Sequence, residues 1–201
     1  MKKLVLASGN QGKLKELSAL LEGLNYQVCS QAELNVPEVP ETGTTFVENA
    51  IIKARNAALV TGFSALADDS GIEVDALNGA PGVYSARFSG ADATDQKNNV
   101  LLIEKLRDVP AAERTARYRA VIVLMRHATD PSPIICEGSW AGLIQLEPQG
   151  SGGFGYDPYF FLPEKGCTSA ELSAEEKNRL SHRGQALRQL LKRLQGLGIP
   201  T

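Results

Sequence analysis

The stretch KKLVLASGNQGKLKEL, residues 2–17, sets the class of the protein. Its apolar run Leu4-Val5-Leu6-Ala7 predicts a short buried strand, and the loop Ser8-Gly9-Asn10-Gln11-Gly12-Lys13 follows it. From Leu14 onward, leucines recur at helical spacing. A strand that passes through a glycine loop into a helix is typical of an α/β protein.

The segments that follow continue this alternation. Thr45-Phe46-Val47-Glu48 is a capping box that predicts a helix to about Thr61, and Asp68-Asp69-Ser70-Gly71 predicts a turn between two short strands. Gly184 predicts a break in the last helix. Further predicted elements are strands over residues 26–30, 115–127 and 134–146, the last two forming a hairpin, and a helix over 95–106. We therefore expect a mixed β-sheet with helices packed on it.

Composition and charge exclude several classes of protein. The 201 residues carry 21 Lys+Arg against 23 Asp+Glu, which excludes a protein that coats nucleic acid through a general basic excess. An anionic ligand would have to be bound by a few specific cationic side chains. The three cysteines form no C-x-x-C pair, and the two histidines lie far apart, which argues against a zinc site or a disulfide framework. The apolar runs are too short for a signal peptide or a membrane span. We expect one domain over residues 1–201, without a membrane segment, in the cytoplasm.

The glycine loop before the first helix has the chemistry of a phosphate cradle. Glycines allow close approach of the backbone, the helix start offers free N–H groups, and Lys13 adds a full charge. It is not a Walker A loop, because its glycine spacing is two residues short and Leu14 stands at the Ser/Thr position. The alternative is a simple β-α turn.

Acidic residues near the middle of the chain suggest a metal site. Asp68 and Asp69 are neighbours at a strand end, so their side chains point to opposite faces, and Glu38 and Glu41 precede the next helix. Mg²⁺ prefers one or two carboxylates together with phosphate oxygens and water. The alternative is ordinary turn chemistry.

Two further groups of polar residues stand out. Asn49, Lys53 and Asn56 form a strip on the predicted helix, for which a solvated face is the ordinary explanation. The segment 154–157 places aromatics between glycines, which can stack on a base, while donors nearby can meet ring carbonyls. For the aromatics, the alternative is core packing. The donors are Lys177, His182 and Arg183.

Taken together, these residues resemble the inosine/xanthosine triphosphate pyrophosphatase family. The resemblance covers residues 4–187 in the family's order, with Ser8 where threonine is frequent. Its blocks are Ser8-Gly9-Asn10-x-Gly12-Lys13, Glu41-Thr42-Gly43, Phe46-x-Glu48-Asn49-Ala50, Lys53-Ala54, Ala67-Asp68-Asp69-Ser70-Gly71, Gly79-Ala80-Pro81-Gly82, Phe154-Gly155-Tyr156-Asp157-Pro158 and Ser181-His182-Arg183-Gly184.

This resemblance implies an elongated α/β fold with a central mixed sheet and two lobes, with the substrate cleft between them. It also implies a homodimer that depends on one or more Mg²⁺ per subunit and converts XTP, ITP or dITP to the monophosphate and pyrophosphate. Glu41 and Asp69 would hold metal, with Asp69 as the catalytic residue and Ser70 beside the ligand. The triphosphate would contact Ser8, Gly9, Asn10, Gln11, Gly12, Lys13 and Lys53, and the base would contact Phe154, Gly155, Tyr156, Asp157, Lys177, His182 and Arg183.

Chemistry qualifies one of these roles and leaves alternatives open. A carboxylate bound to Mg²⁺ is a poor base, so we expect Asp69 mainly to position the attacking water. One alternative is a purine nucleotide sensor that binds without turnover, and another is a Maf-like pyrophosphatase for other modified nucleotides. The sequence lacks the basic stripe with interleaved aromatics that nucleic-acid binding requires.

Overall fold

The computed structural model describes residues 2–21 and 26–196. Within those ranges the chain forms seven strands and five α-helices. The strands are β1 (Lys2–Leu6), β2 (Tyr26–Ser30), β3 (Ser64–Val74), β4 (Thr115–Met125), β5 (Ile134–Ile144), β6 (Phe160–Leu162) and β7 (Cys167–Thr168). The helices are α1 (Gln11–Leu21), α2 (Phe46–Thr61), α3 (Asp95–Leu106), α4 (Ala174–Leu180) and α5 (His182–Gly196).

The strands make one mixed sheet in the order β2-β1-β3-β4-β5-β6-β7. Strand β1 runs parallel to β2 and β3, whereas β6 runs antiparallel to β5 and β7. The predicted α/β class with a mixed sheet is therefore confirmed. The capping box at the start of α2 is also confirmed, since Thr45 and Glu48 satisfy each other's backbone N–H groups.

The described residues divide into two compact units. The first unit holds residues 2–21, 26–69, 120–138 and 183–196, and the second holds 70–119 and 139–182. The boundaries fall inside β3, β4 and β5 and after the first residue of α5.

The first unit buries both faces of its parallel strands. Along β1 the side chains alternate, so Leu4 and Leu6 pack with leucines of α1 and α5, while Val5 packs with alanines of α2. The alanine face of α2 consists of Ala50, Ala54, Ala57 and Ala58. Coverage of both faces is what parallel strands require.

The second unit has its own apolar core. Ile72 and Val74 of β3 pack there with Leu102 and Leu106 of α3. Phe160 is fully buried in this core, and its ring contacts that of Tyr118 with centroids 4.5 Å apart.

Strand β3 contradicts the predicted turn at residues 68–71. The chain remains extended from Ser64 to Val74, and Asp68 and Asp69 are both buried within it. Turn propensity is overridden because each carboxylate finds a cationic partner, Lys13 for Asp68 and Lys53 for Asp69. The predicted alternation of the two side chains is confirmed: Asp68 meets a side chain of α1 and Asp69 meets one of α2.

The break near the carboxyl terminus also lies elsewhere than predicted. It falls at Ser181, whose extended backbone separates α4 from α5, whereas Gly184 is buried inside α5. The Ser181 N–H still donates to the Lys177 carbonyl, so the interruption leaves this backbone donor satisfied. Strands β4 and β5 each end two residues earlier than predicted.

Candidate functional site

A buried lysine organises the acidic residues of the first unit. The Lys53 ammonium donates to Glu41 Oε1 at 2.8 Å, to Asp69 Oδ1 at 2.7 Å and to the Asp68 carbonyl oxygen at 2.9 Å. An ammonium has three protons, and here all three are used. The structure thus brings together three of the predicted site residues, which are supplied by α2, β3 and the segment before α2.

Burial and charge set the protonation tendencies of this cluster. Burial opposes the charge on Lys53, but Asp69 and Glu41 more than offset it and raise the pKa of the ammonium. Burial also raises the pKa of the Asp69 carboxyl, against the opposing charges of Lys53 and Lys13. The second oxygen of Asp69, Oδ2, is buried and accepts no hydrogen bond. A buried acceptor in this state calls for a partner from outside the protein, such as an ordered water or an ion.

Asp68 has a different environment on the opposite face of β3. Its carboxylate pairs with the Lys13 ammonium at 2.9 Å and with the Arg183 guanidinium at 3.4 Å. Burial would raise the pKa of Asp68, but Arg183 and Lys13 outweigh it and hold the pKa well below its ordinary value. Arg183 also binds Glu16, so this group forms a buried network of alternating charges.

The loop before α1 carries the predicted phosphate cradle. Ser8, two residues after the end of β1, is buried, and its hydroxyl accepts the Asn10 N–H at 3.2 Å. The Asn10 side chain in turn accepts the Lys13 N–H at 3.0 Å, which caps the start of α1. Gly9 is exposed, Gln11 is exposed and Gly12 is half-buried, so backbone of this loop is open to a ligand.

A second polar group lies in the other unit, centred on Asp157. One of its oxygens accepts from the Lys177 ammonium at 2.7 Å and from the Phe154 N–H at 2.8 Å. The other accepts from the Ser169 hydroxyl at 2.8 Å and from the Tyr118 hydroxyl at 3.3 Å. The Lys177 ammonium also lies 4.8 Å from the centre of the Phe154 ring.

The remaining residues predicted for the base lie in different settings. Tyr156 is a core residue whose hydroxyl donates to the Ser85 carbonyl at 2.7 Å, and burial raises the pKa of this hydroxyl. Gly155 donates its N–H to Asp95 at 2.7 Å. His182 stacks on Tyr118 with ring centroids 4.8 Å apart. Ser70, half-buried in β3, belongs to the second unit with these residues, whereas Arg183 belongs to the first.

Several residues of these clusters were not found from the sequence. Glu16 contacts Arg183, which lies 167 residues away in the sequence, and Ser169 contacts Asp157, which lies 12 residues away. No local pattern reveals either contact. Glu16 lies one helical turn after Lys13, and that spacing was the available signal. A solvated face is the ordinary explanation for the strip of Asn49, Lys53 and Asn56, yet Asn49 is fully buried.

The described residues show two features that bear on metal and membrane binding. Across 2–21 and 26–196, no three His, Cys, Asp or Glu side chains are gathered into a metal cage. Over the same ranges, none of the helices has the length and apolar character needed to cross a bilayer. A pair of carboxylates is the set that Mg²⁺ uses when substrate phosphates supply further oxygens.

Comparisons with known proteins agree on one family. The model of the Ham1 family matches residues 4–193. A dITP/XTP pyrophosphatase of Shigella flexneri is 59% identical over 194 residues, covering 96% of this chain and 98% of that protein. One of Vibrio cholerae is 57% identical over 195 residues, covering 97% and 98%.

Solved structures give the same result. A HAM1 protein from Coxiella burnetii superposes with a TM-score of 0.91 at 50% identity, covering 98% of this chain and all of that one. The Ham1 protein of Staphylococcus aureus superposes with a TM-score of 0.86 at 39% identity, covering 97% and 99%. The resemblance drawn from the sequence motifs is thereby confirmed, as is the α/β fold with its mixed sheet.

Proposed function

The chain belongs to the Ham1 family, and from this premise we propose that it hydrolyses non-canonical purine nucleoside triphosphates to the monophosphate and pyrophosphate. XTP, ITP and dITP are the proposed substrates, since the relatives at 57–59% identity are named dITP/XTP pyrophosphatases. One observation favours an enzyme over a sensor: the buried Oδ2 of Asp69 has no hydrogen-bond partner, while Lys53 holds its other oxygen.

The residues present fit a bound Mg²⁺. Glu41 and Asp69 converge on one ammonium, and the unpartnered Asp69 oxygen supplies the hard anionic donor that this ion prefers. When bound, Mg²⁺ neutralises phosphate charge and favours attack by water. Glu41 and Asp69 are the residues that would hold it.

The cations of the first unit would bind the triphosphate. Lys13 and Lys53 lie on opposite faces of β3, each against one of the two neighbouring aspartates. The backbone of Gly9, Gln11 and Gly12 adds N–H donors at the start of α1. Asp69 would orient the attacking water. The water oxygen would form a bond to phosphorus as one P–O bond of the anhydride breaks, pyrophosphate would leave, and the proton of the water would pass to solvent.

The polar group around Asp157 would select the base. Lys177 is fixed by Asp157 and faces Phe154, so its position does not depend on the ligand. Donors from Lys177, His182 or Arg183 would match the 6-keto oxygen of hypoxanthine or xanthine and oppose the 6-amino group of adenine. A polar site that leaves buried groups unpaired discriminates by up to about 10⁴–10⁵.

The decisive experiment measures Mg²⁺-dependent pyrophosphate release from ITP, XTP, dITP, GTP, ATP and CTP. We expect kcat/KM for the first three to exceed greatly that for GTP and ATP. Comparable values for all purine triphosphates would contradict the proposed base selection. Tight binding without pyrophosphate release would favour the sensor, and preference for CTP or a modified nucleotide would favour a Maf-like activity. Analytical ultracentrifugation of the same preparation tests the homodimer that belongs to this proposal.

A further inference from the structure

One face of α2 carries three polar residues that all contact the chain before the helix. Asn49, Lys53 and Asn56 lie at spacings of four and three, which places them on the same side of a helix. The chain they contact is the Glu41 segment, defined here as residues 37–43, which has no helical or strand hydrogen bonding.

The three contacts are distributed along the whole segment. The Asn56 side-chain amide donates to the Pro37 carbonyl at 2.9 Å, which holds the first residue. The Lys53 ammonium holds the Glu41 carboxylate at 2.8 Å. The Asn49 side-chain oxygen accepts the Gly43 N–H at 2.8 Å, which holds the last residue. Successive turns of α2 therefore anchor the beginning, the acidic side chain and the end of the segment.

The anchor at Gly43 is closely packed. A Cβ at position 43 would lie 2.5 Å from Glu48 Cβ and 2.7 Å from the Asn49 side-chain oxygen. Asn49 itself is fully buried, so its hydrogen bond to Gly43 is shielded from water. The adjoining Thr44 and Thr45 N–H groups donate to Glu48 at 2.9 and 3.0 Å, which ties this end of the segment to the capping box.

We propose that Asn49 and Asn56 are positioning residues, which fix the Glu41 segment so that the Glu41 carboxylate is held beside Asp69. A segment without secondary structure pays conformational entropy whenever it must become ordered to bind. Anchors at both ends keep the segment ordered before the cation binds, so binding does not carry this cost. The apparent affinity is highest when most molecules are already in the binding-competent arrangement. This inference rests on the proposed function only in taking Glu41 as a cation ligand.

The test uses Asn56→Ala, because Asn56 is half-buried and its loss creates no cavity in the core. We expect the Mg²⁺ concentration for half-maximal pyrophosphate release to rise about three- to tenfold, with kcat at saturating Mg²⁺ little changed. Asn56→Gln keeps the amide donor and should recover part of the loss. The matched control is Leu59→Ala, an exposed neutral position on the same helix, which should change nothing.

Two measurements separate positioning from a general loss of stability. Hydrogen exchange of the protein without metal or nucleotide should be faster across the Glu41 segment in Asn56→Ala and unchanged in α3. In a Glu41→Ala background, Asn56→Ala should not raise the Mg²⁺ requirement further, since the two changes act through the same carboxylate.

The outcomes are distinct for the two proposals. If the wild-type chain releases pyrophosphate and Asn56→Ala keeps its Mg²⁺ requirement and its exchange pattern, the positioning role is overturned while the proposed function stands. Additive effects of Glu41→Ala and Asn56→Ala would overturn it as well. If the wild-type chain shows no cation-dependent turnover, the proposed function fails and the positioning role fails with it.

Discussion

Asp69 in the first unit and Asp157 in the second are both buried carboxylates that hold a lysine ammonium at 2.7 Å. Their remaining hydrogen bonds differ. Both oxygens of Asp157 are occupied, by Lys177, the Phe154 N–H and two hydroxyls. Asp69 accepts from Lys53 through Oδ1, while Oδ2 is buried without a partner.

The number of carboxylate oxygens that already accept hydrogen bonds is a criterion for distinguishing a structural carboxylate from a reactive one. A carboxylate whose lone pairs are filled by the protein fixes the groups around it and has little capacity left for a ligand. One that keeps a buried oxygen unpaired carries a desolvation cost of about 1–3 kcal/mol that a bound ion or water can relieve. On this reasoning we expect Asp69 to act on the substrate and Asp157 to position Lys177 and Phe154.

The largest expected effect is that of Asp69→Asn. Replacing the carboxylate by an amide removes the anionic metal donor. With the amide oxygen held by Lys53, an NH₂ donor also stands where the Oδ2 acceptor was, so kcat should fall about 10²–10⁴-fold at saturating Mg²⁺. Thermal unfolding should change little, because Lys53 keeps Glu41 and the Asp68 carbonyl as partners. Pyrophosphate release and calorimetry on the same protein check both expectations. Turnover close to that of the wild type would contradict the assignment.

Asp157→Asn should show the reverse pattern. It removes the carboxylate charge that lies 2.7 Å from the buried Lys177 ammonium, so the free energy of unfolding should fall by about 3–5 kcal/mol, measured by urea denaturation. In the folded protein, the ratio of kcat/KM for ITP over ATP should decline more than kcat for ITP.

The matched control is a double-mutant cycle with Lys177→Met. If Asp157 acts through the ion pair, the second substitution should restore part of the stability that Asp157→Asn removes. If Asp157→Asn lost as much kcat as Asp69→Asn and kept its stability, the occupancy of the carboxylate lone pairs would not distinguish a structural carboxylate from a reactive one.

Sequence reasoning reached what depends on local pattern. The capping box of α2 and the alternation of Asp68 and Asp69 follow from short-range geometry, and both are confirmed. The turn at 68–71 was wrong because local propensity for a turn takes no account of Lys13 and Lys53, which make burial of two charges possible in an extended strand.

Some parts of the candidate site could be predicted from the sequence and others could not. Motif order pointed to Glu41, Lys53 and Asp69, which the structure brings together. The network of Asp68 with Glu16 and Arg183 was not foreseen, because contacts across 115 and 167 residues depend on the tertiary fold. The strip on α2 was found by its spacing, but only coordinates distinguish a solvated face from one that holds a neighbouring segment.

Asp130, in the turn between β4 and β5, extends the comparison with the smallest expected effect. Its oxygens accept from the Arg126 guanidinium and backbone and from the Ser132 N–H, which lowers the pKa of the carboxyl well below its ordinary value. Because this pKa is lower in the folded than in the unfolded chain, the stabilisation is fully present above about pH 5 and is lost as the pH falls below about 4.

Asp130→Asn should therefore lower the free energy of unfolding by about 1–3 kcal/mol at pH 7, with pyrophosphate release unchanged. Denaturation of both proteins between pH 7 and pH 3 should show the difference narrowing towards the acid end, because the Asp130 carboxyl is protonated there in the unfolded chain while it is still ionised in the folded one, which stabilises the unfolded state. A constant difference across this range would mean that the geometry of the turn, rather than the charge on Asp130, provides the stability. A fall in activity would mean that a carboxylate with filled lone pairs is not confined to a structural role.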